Sequence, residues 1–108
     1  MIDKLFIYGT LAPNCPNEHI LKPLNGSWQE AFVFGELKEE GWGAGMGFPG
    51  ILLTNTKKVV KGQIFTSSNL SEHLDMLDKF EGEDYKRVVV QATLEDNSIV
   101  QAYIYTIK

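Results

Sequence analysis

Only one stretch of this chain keeps a helical period. In "SSNLSEHLDMLDKFEG", residues 67–82, Leu70, Leu74 and Leu77 recur at the three- and four-residue intervals that stack side chains on one helix face. Ser68 or Asn69 reads as the N-cap, Glu72 completes a capping box three residues after Asn69, and Gly82 is the C′ stop. Every other apolar run is short, β-branched or aromatic, and bounded by turn residues. These runs are Lys4–Tyr8 ending at Gly9, "AFVFGELK" with Gly35 as a bulge or close-packing point, "GILLTN" and "KVVKGQIFT". A terminal pair follows, "YKRVVVQATL" and "IVQAYIYTI", joined by "EDNS" as an antiparallel hairpin. "EHILKPL" has room for one or two helical turns. About six strands and one helix define an α+β chain, and strands this short escape exposed edges most easily in a closed or nearly closed barrel, with an open twisted sheet as the alternative.

At 108 residues, 44% hydrophobic and 22% charged, the chain is expected to form a single domain, 1–108, around one core. The lone Cys15 cannot build a disulfide framework and suits a reducing compartment. No run approaches the ~18 apolar residues of a membrane helix, and the N-terminal apolar run is too short for a signal peptide, so a cytoplasmic location without membrane contact is expected. A net charge of −4 without clustered Lys and Arg argues against nucleic acid. The glycine-rich segment between Glu39 and Gly50 reads as an irregular surface loop, and nothing speaks for or against a protein partner docking there.

Gly45, Gly47 and Gly50 spell G-x-G-x-x-G, but that fingerprint needs a helix after the glycine turn, and here a strand follows. Cys15, His19 and His73 match no metal-ligand spacing. Glu81 is different. At 100° per residue Leu70, Leu74, Leu77 and Glu81 fall within about 60° of one another, so the core-facing stripe ends in a carboxylate. The negative end of the helix dipole, the neighbouring Glu83 and Asp84, and burial would all raise its pKa toward the range of a general acid/base. Fraying of the helix end, or a simple pair with Arg87, would be the structural alternatives. The other candidate is Tyr8-Gly9-Thr10-Leu11, a sharp turn after a strand whose clustered N–H groups would hold an anion such as a carboxylate.

"FIYGTL", "VVKGQIF", "LDKFEGEDYKR" and "AYIY", in this order, resemble the γ-glutamyl cyclotransferase-like family, closest to its short γ-glutamylamine cyclotransferase and AIG2-like members. The chain matches both Y-G-[ST]-L and L-D-x-x-E-G-x-x-Y-x-R at every specified position. The resemblance implies a small mixed β-barrel with flanking helices, an α-carboxylate site on Tyr8, Gly9, Thr10 and Leu11, and a catalytic Glu81. It further implies that Tyr105 and Tyr85 line the pocket and that Pro49-Gly50 forms a turn at its mouth, although the glycine-rich loop before that turn departs from the family pattern. The expected reaction closes a γ-glutamyl group to 5-oxoproline with loss of an amine or amino acid and needs no metal or organic cofactor. A non-catalytic module holding an amino-acid-like metabolite is the rival expectation.

Overall fold

The computed structural model describes residues 2–9, 11, 15, 17–38, 50–54 and 57–107. Its strands are β1 (Lys4–Ile7), β2 (Ser27–Phe34), β3 (Glu36–Lys38), β4 (Gly50–Leu52), β5 (Val59–Thr66), β6 (Tyr85–Leu94) and β7 (Ile99–Ile107). One α-helix, α1 (Leu74–Glu81), directly follows a 3₁₀ turn at Leu70–His73, and two further 3₁₀ turns occupy Glu18–Ile20 and Lys22–Leu24. Five strands close a barrel in the order β1-β5-β2-β6-β7, and β3 and β4 pair separately. The barrel is mixed because β1 runs parallel to β7, with Leu5 opposite Tyr103. Of the described helices, none is long and apolar enough to cross a membrane.

The two-residue period of the strands sorts side chains into two cores. Phe6, Ala31, Val33, Ile64, Ala92, Ala102 and Ile104 pack together in one, with Ile51 of β4 among them. Their alternating neighbours Leu5, Ile7, Phe65, Tyr105 and Ile107 turn to the other side, where Leu70 and Leu77 of the helical segment cover them. "VVKGQIF" places its glycine where the first core is tightest. A Cβ on Gly62 would run into the Ile7 carbonyl oxygen and lie 2.7 Å from Phe6 Cζ.

Three expectations are revised. The helical segment is not one capped helix: neither Asn69 nor His73 makes a side-chain cap, and Glu72 is exposed. The Asn69 amide donates instead to the Leu24 carbonyl at 3.3 Å, which also receives the Ser67 hydroxyl at 2.6 Å, while Ser67 Oγ accepts the Asn69 N–H at 3.1 Å. A buried carbonyl on the preceding turn outcompetes the local capping box. "AFVFGELK" is not one strand either. β2 starts earlier, at Ser27, pairs with β5 throughout, and yields at Gly35 to β3, which leaves to pair with β4. The "GILLTN" strand shrinks to Gly50–Leu52. The "EDNS" turn forms as expected, with Leu94 N–H donating to the Ser98 carbonyl at 2.9 Å and Asn97 in the left-handed region at φ 69°. The loop from 39 to 49 lies outside the described residues.

Because a backbone oxygen stands in the way, Gly62→Ala should destabilise the fold by about 1–3 kcal/mol. Urea denaturation should show a lower midpoint at unchanged slope.

Candidate active site

α1 carries its apolar stripe inward to the last residue. Leu70 and Leu77 are fully buried, and Glu81, which closes the same stripe, is half-buried. The chain then turns sharply at Gly82, with φ 79° and ψ −167°, a conformation essentially reserved for glycine. The Gly82 N–H donates to the Asp78 carbonyl at 3.0 Å and closes the helix. After this abrupt exit the Tyr85 N–H, at the start of β6, donates back to the Gly82 carbonyl at 3.4 Å, and the Tyr85 side chain joins the core that holds Leu77. Desolvation pushes the Glu81 carboxyl up to about 7.

Two phenols share its surroundings. Burial pushes the hydroxyls of Tyr8 and Tyr105 well above the usual tyrosine value, and the negative charge of Glu81 adds to the shift of each. The Tyr8 hydroxyl donates to the Tyr105 carbonyl at 2.6 Å and accepts the Ile51 N–H at 3.1 Å. One oxygen, on the residue that follows β1, thereby ties β7 and β4 together. The Tyr105 hydroxyl donates to Asp78 Oδ1 at 2.6 Å.

At the turn after β1, Leu11 is 3% exposed and packs in the same core as Leu77, Tyr85 and Tyr105. Its side chain pins one end of the turn as Tyr8 pins the other. Gly9, between them, is not in the left-handed region, and a Cβ placed on it would meet nothing within 4 Å among the described residues. Among the described residues, neither backbone conformation nor packing therefore demands glycine at this position. Thr10 and Pro49 lie outside the described residues.

A depression of about 510 Å³, within the range of small-molecule sites, opens beside the helix end, with Asp78, Gly82, Tyr85, Arg87 and Tyr105 among its walls. Of the residues that the sequence places in one site, Tyr85 and Tyr105 line this depression, whereas Glu81, Tyr8, Gly9, Leu11 and Gly50 are not among its walls. Glu81 is near enough to Tyr8 and Tyr105 for its charge to act on both phenols, and Leu11 packs in one core with Tyr85 and Tyr105. The sequence assigned no task to Asp78. The partner of Arg87 is this aspartate, at 3.4 Å from Nε. Asp78 precedes Glu81 by three residues, a helical spacing that already put the two carboxylates on neighbouring faces.

The sequence pattern described as "Gamma-glutamyl cyclotransferase, AIG2-like" matches residues 5–108. The chain belongs to this family. Among solved structures, the family likeness extends to YkqA from Bacillus subtilis, with 25% identity and a TM-score of 0.72, covering all of this chain and 36% of that one. An AIG2-like protein from Mus musculus aligns at 24% identity and a TM-score of 0.70, over 97% of this chain and 76% of its own. A structure titled "Gamma-glutamyl cyclotransferase" aligns at 18% identity and a TM-score of 0.66, over 97% and 66%. The last two show a shared fold. No curated protein matches the chain. The mixed barrel with α1 packed on it is thus the AIG2-like γ-glutamyl cyclotransferase fold.

The raised carboxyl of this AIG2-like chain has a consequence for stability. The native state holds the Glu81 proton up to about pH 7, whereas the unfolded chain releases it near 4.5. Stability linked to the neutral acid is present below the unfolded value and lost as pH rises through the native one. Glu81→Gln should match the wild type at pH 4 and exceed it by about 1–3 kcal/mol at pH 8, as read from urea midpoints at the two pH values.

Proposed function

We propose that this protein cyclises the γ-glutamyl group of a small amide or peptide to 5-oxoproline, releasing an amine or amino acid, with Glu81 as general acid/base. The observation that carries the reading is a half-buried carboxyl, pushed by burial to about 7, whose charge acts on Tyr8 at the start of the strand-end turn, in a chain of the γ-glutamyl cyclotransferase family. Such an acid exchanges protons readily at neutral pH, as both halves of the reaction require.

The substrate's α-carboxylate would lie on the N–H groups of Gly9, Thr10 and Leu11. Anchored there, the α-amine folds back onto the γ-carbonyl carbon. A C–N bond forms to close the five-membered ring, and the original γ-amide C–N bond breaks. Glu81 takes a proton from the attacking amine and returns one to the departing nitrogen, which leaves poorly unless protonated. The nucleophile belongs to the substrate, so the protein's largest contribution is to hold the attack geometry. Neither hydride transfer nor hydrolysis occurs in this scheme, and the chemistry asks for no cofactor. The free thiol of Cys15 fits a reducing cytoplasm as the setting.

The test is a mass-spectrometric screen of γ-glutamylamines and γ-glutamyl amino acids for released 5-oxoproline. Wild-type protein should yield it, and Glu81→Gln should lose about 10²–10⁴-fold in turnover while remaining folded. Saturable shifts of the melting temperature without product would instead make the protein a binding module. Gly9→Ala, which meets no atom of the described residues, should leave the melting temperature near that of wild type and raise KM by about tenfold or more, since even about 1.4 kcal/mol of lost contact has that effect.

A further inference from the structure

One wall of the site contains a linked set of side chains to which the reaction scheme assigns no task. Arg87 and Tyr105 face each other across the β6–β7 ladder. Asp78, one turn before Glu81 on α1, reaches both: its Oδ1 accepts the Tyr105 phenol proton at 2.6 Å and lies 3.4 Å from Arg87 Nε. The guanidinium sits over the Tyr103 ring, 5.0 Å from its centroid. Tyr105 is 4% exposed, so its ring is fixed by packing and its hydroxyl by this bond.

A phenol has one proton to donate and two lone pairs. Here the proton is committed to a carboxylate in a short, charge-assisted bond. What Tyr105 can offer a ligand is therefore a lone pair. The same holds for Tyr8, whose proton goes to the Tyr105 carbonyl. Both phenols beside Glu81 are turned into acceptors, which leaves the protonated carboxyl to act as the donor.

We propose that Asp78, held in place by Arg87, is a positioning residue that orients Tyr105 Oη as a hydrogen-bond acceptor for an N–H of the bound substrate. This rests on the cyclotransferase reading, because a γ-glutamyl compound brings an ammonium and an amide N–H to the neighbourhood of Glu81. Without Asp78 the phenol would turn its own proton toward the ligand and set donor against donor.

A double-mutant cycle tests the idea with 5-oxoproline release as the readout. Asp78→Leu and Tyr105→Phe should each raise KM by about tenfold, with kcat changing less. Asp78→Asn, whose amide oxygen can still accept the phenol proton, should recover most of that loss. The Asp78→Leu/Tyr105→Phe double variant should be no worse than Tyr105→Phe alone, because the aspartate acts through the phenol. A wild-type KM in Asp78→Leu, or losses that multiply in the double variant, would overturn the proposal, since a merely structural aspartate adds its own penalty. Should Asp78→Leu fail to fold, Asp78→Asn decides: near wild type while Tyr105→Phe is impaired supports the proposal, and equal impairment overturns it. Wild-type protein that releases no 5-oxoproline removes the cyclotransferase reading together with this one. Product from wild type with an unchanged Asp78→Leu removes this one alone.

Discussion

A barrel of five strands has a narrow interior, and that constraint arranges the rest of the molecule. Phe6 packs there with its ring tip against Gly62 and in company with three alanines at positions 31, 92 and 102. Most of the large aromatic side chains of the alternating set must face the other way. Phe65, Tyr85 and Tyr105 consequently form a second layer between the barrel wall and the helical segment, and the candidate site lies in that layer. The cavity belongs to the outside of the barrel because the inside has no room for one.

The helix end shows how the site is held at odds with local stability. A carboxylate at a helix C-terminus meets the negative end of the macrodipole, and burial adds a desolvation penalty. Both are tolerated because Leu70 and Leu77 anchor the same face in the core and Gly82 diverts the chain immediately afterward. Glu81 has little latitude to swing outward. A carboxyl that gains and loses its proton near neutral pH follows from where the side chain is placed.

Sequence pattern revealed this arrangement unevenly, and the division has a physical basis. Glu81 stood out because helical periodicity is a local property, and a charged residue on an apolar stripe violates it visibly. The C-terminal hairpin was equally plain, since "EDNS" and its flanking β-branched runs involve only neighbours in the chain. What escaped were groups whose partners are remote. Asn69 looked like a cap, yet its amide is drawn to Leu24, 45 residues away. Tyr8 carried a family motif, but its engagement by Ile51 and Tyr105 depends on how strands meet in space. Asp78 sat inside a recognised motif without an evident purpose, because its phenolic partner lies 27 residues downstream.

The single parallel junction between β1 and β7 also bears on how the molecule comes into being. Leu5 lies opposite Tyr103, and Tyr8 bonds across a separation of 97 positions. Contacts of such sequence separation form slowly. The surroundings that Tyr8, Tyr105 and Glu81 share are therefore completed late in folding, when β7 docks against β1.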